Sequence, residues 1–253
     1  MEKKLRTVSN MQLPEVNILS TRPLDQSLII KAAEKNIIIE ALSFIETMPV
    51  TADEVIQQIR DLSCTSSTVA FTSVNAAEAV LAQLNGLQPS WKIFCLGSAT
   101  KELISKYFPL DLLAGTAGNA ALLADEIVKL NPSSVVFFCG DQRRAELPEK
   151  LVANNIALKE VVVYKTTLTP KKMSRDYEGI LFFSPSAAES FFSLNNLPSH
   201  TVLFAIGDTT AGYLRLRCSN QVISGVSPTR ENLLDNVMNY FNTSNHTHAR
   251  IKK

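Results

Sequence analysis

Metal ligands, disulfide partners and long apolar stretches are all scarce in this chain of 253 residues. Its four cysteines, Cys64, Cys95, Cys139 and Cys218, stand 31, 44 and 79 residues apart. They form no Cys-x-x-Cys pair and no histidine accompanies them, which excludes a zinc knuckle or a disulfide framework and fits reduced thiols in the cytoplasm. Of three histidines, His200 is isolated, while His246 and His248 fall in a polar tail. No His-based triad or metal site can be assembled from them. Apolar runs such as 135–139 and 202–206 span five residues, against the roughly 20 that a membrane-crossing helix needs. Residues 1–14 hold charge but no apolar stretch, so no secretory leader is expected. Gly-x-Gly-x-x-Gly and P-loop motifs are absent, which speaks against a nucleotide cofactor. Positive charge is equally thin. The net charge is +1, yet residues 1–14 contribute +2 and residues 241–253 contribute +3, leaving the body at −4. A broad nucleic-acid surface is excluded by that balance. An anionic ligand would have to be held by a few placed groups.

What the chain does have is the composition of a folded protein, 45% hydrophobic and 19% charged, at a length that suits one large domain or two small ones. Short β-rich apolar runs lie at 16–20, 37–44, 69–72, 92–96, 135–139, 159–166, 180–183, 202–206 and 221–224. Helical patterns fill 24–35, 75–84, 99–107, 119–130, 146–154, 187–194, 210–216 and 230–241. Continuous apolar strands alternating with helices predict βαβ units, and so an α/β fold with parallel sheets covered on both faces.

An internal repeat divides the chain. Phe71-Thr72-Ser73-Val74-Asn75-Ala76-Ala77-Glu78 resembles Phe182-Phe183-Ser184-Pro185-Ser186-Ala187-Ala188-Glu189 at an offset of 111. Leu96-Gly97-Ser98-Ala99-Thr100 resembles Ile206-Gly207-Asp208-Thr209-Thr210 at an offset of 110, and Asn36-Ile37 lines up with Asn155-Ile156 at 119. Repeats in the same order predict two similar α/β halves. Each repeated turn ends a strand and opens a helix, placing hydroxyl and amide donors where a helix N-terminus favours anions. Taken singly, such serines and threonines are ordinary helix caps. Arranged as a repeat at the carboxyl ends of strands, they predict a ligand cleft.

Residues 135–167 carry a more specific pattern: a strand, a Gly-containing turn with basic residues, Leu147-Pro148-Glu149-Lys150-Leu151, and a strand ending Val163-Tyr164-Lys165-Thr166. With Ser20-Thr21-Arg22-Pro23, Phe71-Thr72-Ser73, Phe183-Ser184-Pro185-Ser186 and Ile206-Gly207-Asp208-Thr209-Thr210-Ala211, it resembles the uroporphyrinogen-III synthase family over roughly residues 15–240. The chain departs from the family pattern at Val74 and at Ser98-Ala99.

The resemblance implies two flavodoxin-like parallel-sheet domains joined by a two-stranded linker that permits hinge motion. Residues 1–39 with 168–253 would form a discontinuous domain, 48–160 the second, and 40–47 with 161–167 the linker strands. It further implies a cofactor-free, metal-free lyase of haem biosynthesis, a cytoplasmic monomer with no nucleic-acid or membrane partner. Its substrate would be a linear tetrapyrrole with eight carboxylates. Tyr164, on the family's Val-Tyr-x-Thr tyrosine, would be catalytic, because a phenol can protonate a departing hydroxyl at neutral pH. By its residue type alone it reads as a half-buried strand tyrosine. Arg22, Arg143 and Arg144 each follow a strand and would bind carboxylates, with one of the adjacent pair facing the ligand. Ser73, Ser184, Ser186, Thr209 and Thr210 would contribute hydroxyls and backbone N–H groups. The four cysteines, Trp91 and the Phe191-Phe192 pair read as packing. A different class, a two-lobed anion sensor without activity, would share the cleft.

Overall fold

The computed structural model describes residues 15–97, 99–225 and 227–251, with side chains described to residue 242, so residues 1–14, Ser98, Val226 and the last two lysines lie outside the described residues. The chain runs β1 (Val16–Ser20), α1 (Gln26–Ala33), β2 (Ile37–Ala41), β3 (Ile45–Pro49), α2 (Asp53–Ser63), β4 (Thr68–Phe71), α3 (Val74–Leu84) and β5 (Lys92–Leu96). It continues through α4 (Ala99–Tyr107), a 3-10 turn at Leu110–Leu112, β6 (Leu113–Ala117), α5 (Ala120–Leu130), β7 (Ser134–Gly140), α6 (Glu146–Ala153) and β8 (Ala157–Leu168). Last come β9 (Gly179–Phe182), α7 (Pro185–Phe192), β10 (Val202–Ala205), α8 (Asp208–Arg217), β11 (Val222–Ser224) and α9 (Arg230–Ile251).

Two compact units result: Glu46–Thr167, and the residues up to Ile45 with those from Leu168 onward. In the continuous unit the sheet order is β3-β8-β7-β4-β5-β6, and β4, β5, β6, β7 and β8 pair in parallel. In the discontinuous unit the order is β11-β10-β9-β1-β2, all parallel. Counting β4 and β9 as first strands gives both sheets one order, 3-2-1-4-5. The difference lies in where the chain enters. In the discontinuous unit the fourth and fifth positions are filled by β1 and β2 from the start of the chain, a circular permutation of the other unit. That is why the repeat has no single offset. The pair α1–β2 matches α6–β8, and both connections turn on an asparagine in the left-handed region, Asn36 at φ 57° and Asn155 at φ 58°. Asparagine tolerates that conformation better than most residues.

Strand residues alternate between the two faces of each sheet, as the pleat requires. Val69, Phe71, Val136 and Phe138 meet α2, α3 and α4 on one face, joined by the buried Trp91. Ala70, Val135, Phe137 and Cys139 meet α5 and α6 on the other. In the discontinuous unit α1 and α9 cover one face and α7 and α8 the other.

Three elements differ from the sequence expectation. The apolar run 37–44 holds a strand only to Ala41, and β3 follows from Ile45 after a break, because Phe44 leaves the ladder to bury its ring edge-on against Phe191, centroids 5.2 Å apart. Helix α2 was not anticipated: it is mostly polar and buries Ile59 alone completely. Strand β6 was also missed, since Leu-Ala-Gly-Thr-Ala has little β-propensity and half-buried side chains at a sheet edge.

Burial has a chemical consequence for the thiols. Loss of solvation pushes Cys95 and Cys139 up to about 11, whereas Cys64 is exposed. Since the thiolate is the reactive species, a thiol reagent at pH 8 should label Cys64 in the native protein. Cys95 and Cys139 should react only after unfolding, which peptide mass spectrometry will resolve. Prompt native labelling of Cys139 would contradict the burial.

Candidate functional site

In an open α/β sheet the strand order reverses at one point, and ligands bind in the crevice outside the carboxyl ends there. Here those points fall between β4 and β7 and between β9 and β1. The turns that open there are the turns singled out in the sequence. In the continuous unit they are Thr72-Ser73 after β4 and 140–145 after β7. In the discontinuous unit they are Phe183-Ser184 after β9 and 21–25 after β1, with Gly207 and α8 one strand further on.

In the continuous unit Ser73 and Tyr164 are brought together. Ser73 is extended at φ −147° and its hydroxyl oxygen accepts from the Ala76 N–H at 3.1 Å, capping α3. The same side chain lies near the Tyr164 phenol and favours its charged form. Burial holds the Tyr164 phenol above its ordinary pKa, with the Ser73 contact acting in the opposite sense. Tyr164 is therefore a neutral, proton-bearing phenol throughout the physiological range.

A bulge aims that ring. Cys139 pairs with Val162 and Gly140 with Tyr164, so β8 carries one extra residue, Val163. Without it, strict alternation would put Tyr164 on the face of Val162 and α6. With it, the ring packs on the α3 face beside Phe71 and Phe138. Gly140 makes the seat possible: a Cβ there would lie 2.4 Å from Tyr164 Cζ and 2.7 Å from its hydroxyl. Neither the bulge nor this use of Gly140 was visible in the sequence, because both depend on which strand residues face each other.

The two adjacent arginines part company. Arg143 is held by Glu160 in a bidentate pair, with Nε and Nη2 donating at 2.6 and 2.7 Å. Arg144 is exposed and has no ion pair among the described residues. Glu160 was not anticipated; its signal is a carboxylate on the strand next to a basic turn.

In the discontinuous unit Ser184 caps α7 as Ser73 caps α3, accepting from the Ala187 N–H at 3.1 Å, with Pro185 at the first helical position. Ser186 lies in the same first turn. Thr21 is buried, and its N–H and hydroxyl both donate to the Leu181 carbonyl, at 3.0 and 2.8 Å, fixing the turn that carries the exposed Arg22. Thr209 is exposed on α8, whereas Thr210 is 1% exposed and faces the interior. The start of α8 differs in charge as well. Asp208 occupies its first turn and accepts from Ser224 Oγ at 2.9 Å, so a carboxylate already meets that helix end. Helices α3 and α7 have no acid in the first turn. Their N–H groups remain suited to an external anion, as do those of α1 and α5, which also lack an acid in the first turn.

Ser184→Ala should lose about 1 kcal/mol of stability with the α7 cap, and less than about 2 kcal/mol of transition-state stabilisation because the backbone donors stay. Chemical denaturation and steady-state kinetics will measure both. A collapse of turnover with the fold intact would assign Ser184 a direct chemical role.

Among the described residues no group of three or more His, Cys, Asp and Glu side chains could hold a metal ion, and no helix is long and apolar enough to cross a membrane. The fold is that of a two-unit α/β protein in which each unit carries a serine-capped helix and an arginine-bearing turn at its own switch point. Residues 28–235 match the family described as Uroporphyrinogen-III synthase HemD, and the chain belongs to that family. It is similar to the uroporphyrinogen-III synthase of Saccharomyces cerevisiae, 29% identical over 178 residues, which is 58% of this chain and 64% of the yeast protein. The match thus spans less than two thirds of that relative. Among solved structures, the uroporphyrinogen-III synthetase of Helicobacter pylori is 18% identical with a TM-score of 0.59, covering 89% of this chain and 99% of that one. A mutant uroporphyrinogen III synthase of Thermus thermophilus is 13% identical with a TM-score of 0.58, covering 92% and 99%. These two likenesses establish the fold: α/β, with parallel sheets in two units.

Proposed function

We propose that the chain is a uroporphyrinogen-III synthase: it closes hydroxymethylbilane, a linear tetrapyrrole with eight carboxylates, to uroporphyrinogen III, inverting the last pyrrole ring with loss of water. The observation that carries this reading, beside family membership, is the half-buried Tyr164 phenol seated on Gly140 at the end of β7, beside the β4–β7 switch point. The half-buried, proton-bearing Tyr164 O–H donates to the departing substrate hydroxyl, with the helix-capping Ser73 as a polar neighbour of the phenol. Loss of that hydroxyl needs a positioned acid and a curled substrate.

The substrate carboxylates are held by Arg22 and Arg144, by the N–H groups opening α3 and α7, and by Ser184, Ser186 and Thr209. Thr210 acts through its backbone, because its side chain is buried. Arg143 contributes only where a substrate carboxylate displaces Glu160. The reading includes a monomer acting in the cytoplasm on this small molecule, with no nucleic acid, membrane, metal or cofactor.

The test is to supply enzymatically generated hydroxymethylbilane and to separate the products by chromatography. Isomer III supports the reading. Isomer I alone, the uncatalysed outcome, overturns it, and tight binding of the bilane without isomer III would identify an anion-binding sensor.

A further inference from the structure

We infer that the turn formed by Gly140 and Asp141 is the device that positions Tyr164, with Asp141 as a positioning residue for ring closure; this deepens the reading that gives Tyr164 a chemical role. The need for such a device follows from the bulge. Where β8 carries its extra residue, the β7 ladder is interrupted, and a bulged strand end is less constrained than a regular one. Tyr164 lies immediately beyond that interruption.

Three hydrogen bonds from two consecutive residues restore the constraint. The Asp141 N–H donates to the Tyr164 carbonyl at 3.2 Å. The Thr166 N–H donates to Asp141 Oδ1 at 2.9 Å, and Gln142 Nε2 donates to the Thr166 carbonyl at 3.3 Å. Asp141 therefore grips the strand at the tyrosine's own carbonyl and again two residues further on, once through its backbone and once through its carboxylate. That carboxylate is exposed and has no ion pair with a cation among the described residues, so the strand amide is the contact that accounts for it. Gly140 supplies the floor under the ring. Strand end and ring face are thus each held by a different residue of one turn.

Asp141→Asn keeps an acceptor oxygen for the Thr166 N–H, whereas Asp141→Ala removes it. Positioning therefore predicts that Asp141→Ala lowers kcat by about 10-fold or more with KM nearly unchanged, since misplacement of a reacting group is felt in the transition state. Asp141→Asn should restore wild-type turnover within about twofold. In the Tyr164→Phe background Asp141→Ala should cost no more than about twofold further, because the two changes act through one group. A readout independent of activity is the Tyr164 13Cζ resonance in tyrosine-labelled protein, assigned by its loss in Tyr164→Phe. It should move in Asp141→Ala and stay in place in Asp141→Asn.

If Asp141→Asn is as impaired as Asp141→Ala, the charge matters and not the grip, and the positioning role is overturned. A stationary resonance in Asp141→Ala overturns it as well. Full turnover in Tyr164→Phe would instead overturn the chemical role of Tyr164, whatever the resonance does. Thermal unfolding of each variant ensures that folded protein is compared.

Discussion

Replacing Tyr164 with phenylalanine is expected to lower turnover by about 10²-fold or more, the usual scale for a general acid. The ring, its seat on Gly140 and its packing beside Phe71 and Phe138 all survive. Only the hydroxyl goes. Ser73 keeps its bond from the Ala76 N–H, so stability should fall by no more than about 1 kcal/mol. KM should hardly move, because an interaction made mainly in the transition state lowers kcat and leaves ground-state binding alone. Spontaneous closure would compete with the slowed enzyme, and the ratio of isomer III to isomer I should drop. The pH profile offers a second check. Burial raises the phenol's pKa above its ordinary value, so the acid form persists as pH climbs and is lost only beyond the usual phenol range. The alkaline limb of kcat/KM that reports this loss should be present in the wild type and absent from Tyr164→Phe. Near-full turnover with unchanged isomer selectivity would make Tyr164 a packing residue.

What could be read in advance divides along a physical line. Features set by local chain chemistry were legible. The alternation of apolar strands with helices, the serine caps at Ser73 and Ser184, and the paired asparagines before β2 and β8 all depend on residues within a few positions of one another. Asn36 and Asn155 show this well, since a weak sequence match proves to be the same left-handed turn in two places. Features set by tertiary neighbours were not. Residues 37–44 read as one strand because nothing local interrupts them, and only the aromatic pocket around Phe191 draws Phe44 away. Arg143 and Arg144 are indistinguishable by neighbour and type; Glu160, seventeen positions on, separates them. Tyr164 itself could be singled out, but its orientation comes from the bulge at Val163 and the missing Cβ of Gly140.

The permuted entry of the chain adds to this. With the fourth and fifth strands of one sheet supplied from the opposite end of the sequence, equivalent turns lie 110, 111 or 119 residues apart. Equivalence of position in the sheet, not of sequence offset, pairs the turn bearing Arg22 with the turn bearing Arg143 and Arg144. Both follow the fourth strand of their sheet, beside the serine-capped helix that follows the first. Each unit thus presents an arginine-bearing turn and an anion-suited helix end at the same switch point.

The largest expected loss of stability comes from Phe138→Ala. Phe138 is fully buried, stacked on Phe71 with centroids 5.2 Å apart and set against Trp91 at 5.7 Å. These three rings fill the space between β4, β7 and α3, below the switch point. Truncation to alanine removes ring burial and leaves a cavity that the paired strands cannot close without breaking register, so the cost should be about 3–5 kcal/mol. For a unit of this size that should lower Tm by roughly 10 °C or more. Phe138→Leu, which keeps most of the volume, should lose less than half as much. Function should follow at a distance. Phe138 lies two residues before Gly140, so movement of β7 toward the cavity would tilt the floor under Tyr164 while leaving Arg144 and Ser184 untouched. Turnover of Phe138→Ala, measured well below its transition, should therefore fall by a smaller factor than that of Tyr164→Phe, with KM preserved. A denaturant midpoint equal to wild type would show that the aromatic cluster repacks freely, and the rigidity assigned to the ground beneath Tyr164 would have to be abandoned.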